Sequence, residues 1–218
     1  MNHKTFRLAV LLSGTGTTMV NLQEHIMQGK VPAEISVVLS SKKNAIGLTR
    51  AKDYGIKTEI LRRQKFKKDG VFDEDAYCTA LANLITPYKP DLVVMAGFMT
   101  RLTAPVLDKF KVINVHPALL PMFGGAGFFG HHVHEAVLKE GVKITGATVH
   151  FAQAEYDRGP IVMQKAVEVL DDDTADTLAA RVQAAERQIY PKAVAAIARG
   201  EVIVEGNRTR MRKGDTHA

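Results

Sequence analysis

The chain has 218 residues, of which 46% are hydrophobic and 24% charged, with a formal net charge of +6. That apolar fraction suits the core of one large domain, the charge content excludes disorder, and no run reaches the roughly 18 apolar residues of a membrane span. A single cysteine, Cys78, excludes an internal disulfide and a cysteine-based metal site, and reads as a small helix residue.

The first residues lead straight into an apolar run without the h-region and cleavage site of a secretory signal, so a soluble, cytoplasmic protein is expected. Residues 7–12 read as a strand, a glycine turn covers 13–18, and Met19, Leu22 and Ile26 recur at helical spacing. A strand at 34–39, a helix at 45–54 and a strand at 58–61 continue the alternation. The cations Arg62, Arg63, Lys65, Lys67 and Lys68 then crowd one stretch. Nucleic acid would suit such a run, but no aromatic platform, helix-turn-helix or zinc pattern accompanies it, so neither nucleic acid nor membrane is an expected partner. A helix at 72–85 and fully apolar strands at 91–96 and 112–115 follow. Strands apolar throughout are buried on both faces, which predicts an α/β fold: a Rossmann-like open, mostly parallel sheet with helices on both faces.

Residues 118–130 hold four glycines and no period, and form a loop long enough to be functional. A helix at 134–140, strands at 145–151 and 161–167, and a long amphipathic helix at 173–199 come next, with Asp173 as its expected N-cap and Pro191 expected to bend it. The weak alternation over 202–211 and the basic polar end predict a marginal extension that frays. With no repeat and no linker-like break, a single domain is expected over 1–218, its core at about 7–199 and an extension at about 200–218.

Three constellations carry chemistry. In Ser13-Gly14-Thr15-Gly16-Thr17-Thr18, amides at a helix N-terminus and threonine hydroxyls suit a phosphate. Met19 stands where a dinucleotide fingerprint wants its third glycine, and Ser40-Ser41-Lys42-Lys43 stands where it wants an acid, so a mononucleotide phosphate is favoured. A purely structural glycine turn is the other reading. Asn114 and His116 share one side of a strand at its carboxyl end, where an open parallel sheet binds ligands, and an amide beside an imidazole suits acyl-group chemistry. A structural histidine is the bland reading of His116, and a solvated turn that of Asp157, whose carboxylate beside His116 would raise its pKa. His131, His132 and His134 complete no metal motif and read as polar lining of a pocket, so no metal is expected.

Asn114-Val115-His116-Pro117-Ala118-Leu119-Leu120-Pro121, with Asp157 in an Asp-x-Gly-Pro turn, resembles the glycinamide ribonucleotide formyltransferases of purine synthesis, within the folate-dependent formyltransferase superfamily. The resemblance runs from about Leu8 to Arg199 and includes Ala96-Gly97-Phe98-Met99 and Thr148-Val149-His150-Phe151. Two relatives share the signature: a methionyl-tRNA formyltransferase would carry a further C-terminal domain, and a formyltetrahydrofolate hydrolase a regulatory domain before the first strand. The layout here fits the ribonucleotide enzyme.

The resemblance implies formyl transfer from 10-formyltetrahydrofolate to 5'-phosphoribosylglycinamide, with hydrolysis of the same folate or transfer to another amine as alternatives. It implies Asn114, His116 and Asp157 as the catalytic set, with a protonated His116, and Gly16, Thr17, Thr18 and Glu186 on the ribonucleotide. Met99, Thr100, Arg101, Leu102 and Asn114 would hold the folate, and the enzyme would act on small molecules as a monomer or homodimer. The chain departs from the family's pattern at Thr17-Thr18, which replaces Ser-Asn, at 123–130, which blurs the positions of His132 and His134, and near Phe72-Asp73-Glu74, where a folate-site arginine has no match. The basic run at 62–68 is placed to draw the glutamate tail of folate, a solvated loop being the other reading. From another class, a non-catalytic NADP-binding module would use Ser40, Ser41, Lys42 and Lys43 on a 2'-phosphate.

Overall fold

The computed structural model describes residues 5–212. Residues up to Ile113 form one compact unit and those from Asn114 a second. The first begins with β1 (Phe6–Leu12), α1 (Thr17–Met27), β2 (Ala33–Ser40), α2 (Ile46–Asp53) and β3 (Thr58–Ile60). A short basic ribbon, β4 (Lys67–Lys68) with β5 (Val71–Phe72), precedes α3 (Glu74–Ile85), β6 (Leu92–Met95) and α4 (Ala104–Leu107). Strand β7 (Val112–His116) starts in this unit and carries the chain into the next.

Pairing is parallel throughout the first unit: β2 with β1 and β3, β6 with β1, and Val112 and Ile113 of β7 with Val93 and Val94 of β6. Leu8, Ala9, Val10, Leu11 and Leu12 are all fully buried. Because neighbouring strand residues point to opposite faces, unbroken burial means that both faces are covered, as the apolar runs predict.

The second unit holds α5 (His131–Glu140), β8 (Ile144–Phe151), β9 (Ile161–Glu168), α6 (Ala175–Ala198), β10 (Val202–Glu205) and β11 (Arg208–Met211). Strands β8 and β9 are antiparallel, with a register shift between Val149 and His150, and α6 packs on both strands and on α5. The main sheet has seven strands in the order β3-β2-β1-β6-β7-β8-β9, mostly parallel with one antiparallel edge. This is the α/β class expected.

Element boundaries differ where side-chain capping decides them. Helix α3 starts at Glu74 and not at 72, because Asp73 accepts the Ala76 N–H at 2.9 Å and Phe72 belongs to the ribbon. The cap of α6 is Thr174 and not Asp173: Thr174 Oγ1 accepts from Thr177 N, and Thr177 Oγ1 accepts from Thr174 N. Asp173 instead accepts the Leu170 N–H and pairs with Arg181. Helix α6 continues through Pro191, whose missing donor leaves the helix unbroken. Helix α5 begins at His131, earlier than expected. Residues 202–211 form an antiparallel hairpin, tied to β9 by Thr209 Oγ1 donating to the Ile161 carbonyl at 2.5 Å. The fraying expected of the chain end falls on 213–218, outside the described residues.

Removing the reciprocal cap, as in Thr174→Ala, is expected to destabilise the protein by about 1 kcal/mol and lower Tm by about 2–4 °C, measured by thermal denaturation. An unchanged Tm would mean that α6 is held by packing alone.

Candidate active site

In the first unit, the turn between β1 and α1 is shaped by two glycines. Gly16 caps α1 with φ 74°, and a Cβ there would lie 2.6 Å from Gly47 Cα; one on Gly47 would lie 2.7 Å from Leu12 Cδ2. The two backbones touch, and Gly47 N–H donates to the Gly14 carbonyl at 3.1 Å. Gly16 is thus demanded by packing whatever binds there. Ser13 Oγ accepts the Met99 N–H at 3.0 Å and lies 2.7 Å from Ser41 Oγ, joining the ends of β1, β2 and β6. Helix α1 has no side-chain cap and no acidic residue in its first turn. Its amides and dipole are therefore left to an anion, with the exposed Thr17 and half-buried Thr18 hydroxyls beside them.

Of the four positions after β6, Met99 is 53% exposed and Arg101 is exposed, whereas Thr100 and Leu102 are buried. Arg101 pairs with Glu74 at 3.3 Å. Only Met99 and Arg101 therefore turn side chains outward, and Thr100 and Leu102 can serve a ligand through backbone groups. Met99 also lines a cavity of about 610 Å³ with Lys42, Lys43, Arg62, Arg63 and Lys67.

The second unit gathers Asn114, His116 and Asp157. His116 ends β7, is 3% exposed, and its Nε2 lies 2.7 Å from the Phe123 carbonyl. A carbonyl only accepts, so Nε2 carries hydrogen. Nδ1 faces Asp157 Oδ2 at 3.5 Å. Half-buried Asn114 stands two residues back on the same strand. The segment after His116 is pinned by Thr148: Oγ1 donates to the Ala118 carbonyl at 2.7 Å and accepts the Leu120 N–H at 3.0 Å.

Asp157, in a left-handed turn with φ 56°, receives the Gly125 N–H at 3.0 Å, and His150 Nε2 lies 3.5 Å from its Oδ1. Burial pushes its carboxyl up, but the contact with His150, the charge on His116 and the Gly125 amide outweigh it, and its pKa falls below the usual carboxylate value. Sequence reasoning assigned no role to His150; its one signal was its place in the Thr-Val-His-Phe segment, and the strand irregularity beside it is invisible in sequence. The Phe123 carbonyl and Gly125 amide were also missed, since backbone groups leave no trace in residue type.

Burial lowers the pKa of His116 more than Asp157 and the Phe123 carbonyl raise it, and His150 adds to the lowering. The carboxylate acts in the expected direction, but the net shift is downward, because a dry site penalises the imidazolium and 3.5 Å is a long contact. The three neighbouring histidines divide. His131 and His132 point outward to Asp176 (3.2 Å) and Glu135 (3.3 Å), while His134 is buried, its pKa lowered by burial and by His131 and His116. Among the described residues, no group of three or more His, Cys, Asp or Glu is placed to hold a metal. Glu186, half-buried on α6, has its carboxyl pushed up to about 7 by burial, which Arg187 offsets in part.

A family model described as formyl transferase matches residues 6–194. The phosphoribosylglycinamide formyltransferase of Escherichia coli is 34% identical over 92% of this chain and 91% of its own length. The trifunctional purine biosynthetic protein adenosine-3 of Bos taurus is 38% identical over 91% of this chain, which spans about a fifth (19%) of that larger protein. The crystal structure of glycinamide ribonucleotide transformylase 1 from Symbiobacterium toebii superposes with a TM-score of 0.88 at 36% identity, covering 96% of this chain and 95% of that one.

Glu186 gives a test of how burial acts on a carboxyl of α6. A folded-state pKa raised from 4.5 to about 7 means that its favourable contribution is complete below about pH 4.5 and is lost as pH rises through about 7. Glu186→Gln is therefore expected to raise Tm by about 4–8 °C at pH 8 and leave it nearly unchanged at pH 4.5, an effect of about 2 kcal/mol. Equal shifts at both pH values would show that its carboxyl is not held out of water.

Proposed function

This chain belongs to the formyl transferase family, and from that premise we propose that it transfers the formyl group of 10-formyltetrahydrofolate to the amine of 5'-phosphoribosylglycinamide in purine biosynthesis. The observation that carries this reading is the buried set of His116, Asp157 and His150 with Asn114 on the same strand as His116. The N-terminus of α1, which no side chain caps, supports it as a place suited to a phosphate.

In this reading the glycinamide amine attacks the formyl carbon, and the carbonyl oxygen becomes a tetrahedral oxyanion. The Asn114 amide and protonated His116 donate to it. Collapse breaks the bond between the formyl carbon and folate N10, and the proton lost by the amine ends on that nitrogen, so charge balances. His116 is disposed towards the neutral form at rest, and a developing negative charge draws its proton back. Nε2 exchanges one acceptor, the Phe123 carbonyl, for another, the substrate oxygen. Asp157 favours the imidazolium throughout.

Gly16, Thr17 and Thr18 take the ribonucleotide phosphate, and Glu186, with a pKa near neutrality, meets its glycinamide or ribose end. Met99, Thr100, Arg101, Leu102 and Asn114 take the folate, Thr100 and Leu102 through backbone groups. No metal enters the reaction. The chain works as one formyltransferase domain over 1–218, a cytoplasmic monomer or homodimer acting on small molecules. Among the described residues no helix is long and apolar enough to cross a membrane.

Release of tetrahydrofolate, followed by absorbance, is expected only when 5'-phosphoribosylglycinamide is present. Release without it would make the protein a hydrolase. His116→Ala is expected to lower kcat by at least about 10³-fold while ribonucleotide binding changes less than about threefold, because His116 acts on the transition state. Asp157→Asn removes the charge that supports the imidazolium, so His116 loses its proton at lower pH. The alkaline fall of kcat is then expected to move down by about one pH unit; an unmoved profile would detach Asp157 from His116.

A further inference from the structure

The segment 123–125 grips both His116 and Asp157 through its backbone. The Phe123 carbonyl accepts from His116 Nε2 at 2.7 Å, and two residues on, the Gly125 N–H donates to Asp157 Oδ2 at 3.0 Å. That same Oδ2 faces His116 Nδ1 at 3.5 Å, so ring, carboxylate and backbone close one circuit. Its conformation is not that of a relaxed loop. Phe123 has φ 52° and Asp157 φ 56°, two of the four non-glycine residues with positive φ among the described residues. Bulky side chains are rare in that region and persist there only where their surroundings hold them. Gly124, between the two gripping groups, has no room for a side chain: a Cβ would overlap Leu120 Cδ2 and lie 3.2 Å from Asp157 Cβ. Leu120 is itself held, since its N–H donates to Thr148 Oγ1 and its carbonyl accepts from Gln164 Nε2 at 3.1 Å. Turn bonds tie both flanks, Met122 N–H to the Leu119 carbonyl at 3.1 Å and Phe128 N–H to the Gly125 carbonyl at 3.2 Å.

We propose that Phe123 is a positioning residue of the formyl transfer: its left-handed backbone aims a carbonyl at His116 Nε2, which keeps on that nitrogen the hydrogen offered to the substrate oxygen. Gly124 is the spacer that lets the same segment hold Asp157. The inference rests on the reading of His116 as a donor to the oxyanion. A neutral imidazole has one N–H, and two nitrogens compete for it. Asp157 alone would draw that hydrogen to Nδ1 and leave Nε2 bare towards the substrate. The Phe123 carbonyl reverses the choice. Being an acceptor only, it keeps hydrogen on Nε2 and leaves Nδ1 as the nitrogen that gains a proton, beside the carboxylate that stabilises the gain. A backbone carbonyl suits this task because it does not titrate and so holds the ring in the same way at every working pH. The Phe123 ring meets Phe128 edge-on at 6.4 Å, and the assigned role belongs to the φ of the residue and not to that contact.

The test is a pair of substitutions at one position. Phe123→Asn and Phe123→Val both remove the ring, but Asn tolerates the left-handed region and a β-branched Val does not. Phe123→Val is expected to show a kcat at least about tenfold below that of Phe123→Asn, with KM for both substrates within about threefold, because a small misplacement acts on the reacting geometry. Nitrogen NMR of the His116 ring supplies a readout that needs no turnover. Hydrogen on Nε2 is expected in the wild type and in Phe123→Asn. In Phe123→Val both tautomers are expected, with a titration about one pH unit lower, since the carbonyl that raises the His116 pKa has moved away. Asp157, His150 and His134, the other titratable groups that bear on this ring, are present in every chain compared. If Phe123→Val does not fold, Gly124→Ala takes its place, with the same losses expected against the wild type. Equal kcat and equal His116 spectra within the pair would overturn the proposal even where formyl transfer is confirmed. A kcat difference with identical spectra would overturn it too, because Phe123 would then act elsewhere. The spectral difference in a protein that transfers no formyl group would uphold the positioning of His116 and overturn the reaction assigned to it.

Discussion

Asp157 keeps about a tenth of its side chain exposed, and an ionised carboxylate that dry survives only if protein groups replace its water. Among the described residues the Gly125 amide in the glycine-rich loop donates to it, and the His116 imidazole at the end of β7 and the His150 imidazole near the end of β8 each lie 3.5 Å from one of its oxygens. The left-handed turn at Asp157 turns the carboxylate to them, and the register shift before His150 brings the second ring within reach. The loop is held for the same purpose, since Thr148 pins its start and His116 binds the Phe123 carbonyl. One buried carboxylate therefore ties together three segments of the second unit.

That arrangement sets the chemistry. Burial alone would leave His116 a neutral base; a closely paired carboxylate alone would leave it a fixed cation. The two influences oppose each other, and burial outweighs the carboxylate. Such a group can answer charge as it appears in a reaction, which a saturated ion pair cannot.

The first unit presents positive potential in two different ways. At the start of α1, backbone amides that no side chain caps lie in a turn that the touching glycines Gly16 and Gly47 hold in shape. In the basic cavity, long exposed side chains supply charge without fixed geometry.

Parallel strands buried on both faces must be apolar throughout, so the alternating architecture was legible from the runs at 7–12, 91–96 and 112–115. That Asn114 and His116 stand two apart on one strand was legible too, because strand periodicity is local. Helix starts were less so: Asp173 and Thr174 are both good capping residues, and only the Thr177 contacts choose between them. The sequence by itself also determined which residue types were available, a histidine at a strand end and an acid in a turn. Tertiary structure decided that they meet, that His150 joins them, and that burial outweighs the carboxylate at His116. It likewise brought Lys42 and Lys43 to the basic segment and left Lys65 and Lys68 outside. The physical reason is common to all of these: pKa, pairing and cavity lining depend on distance and dielectric between residues far apart along the chain, and periodicity reports only on near neighbours.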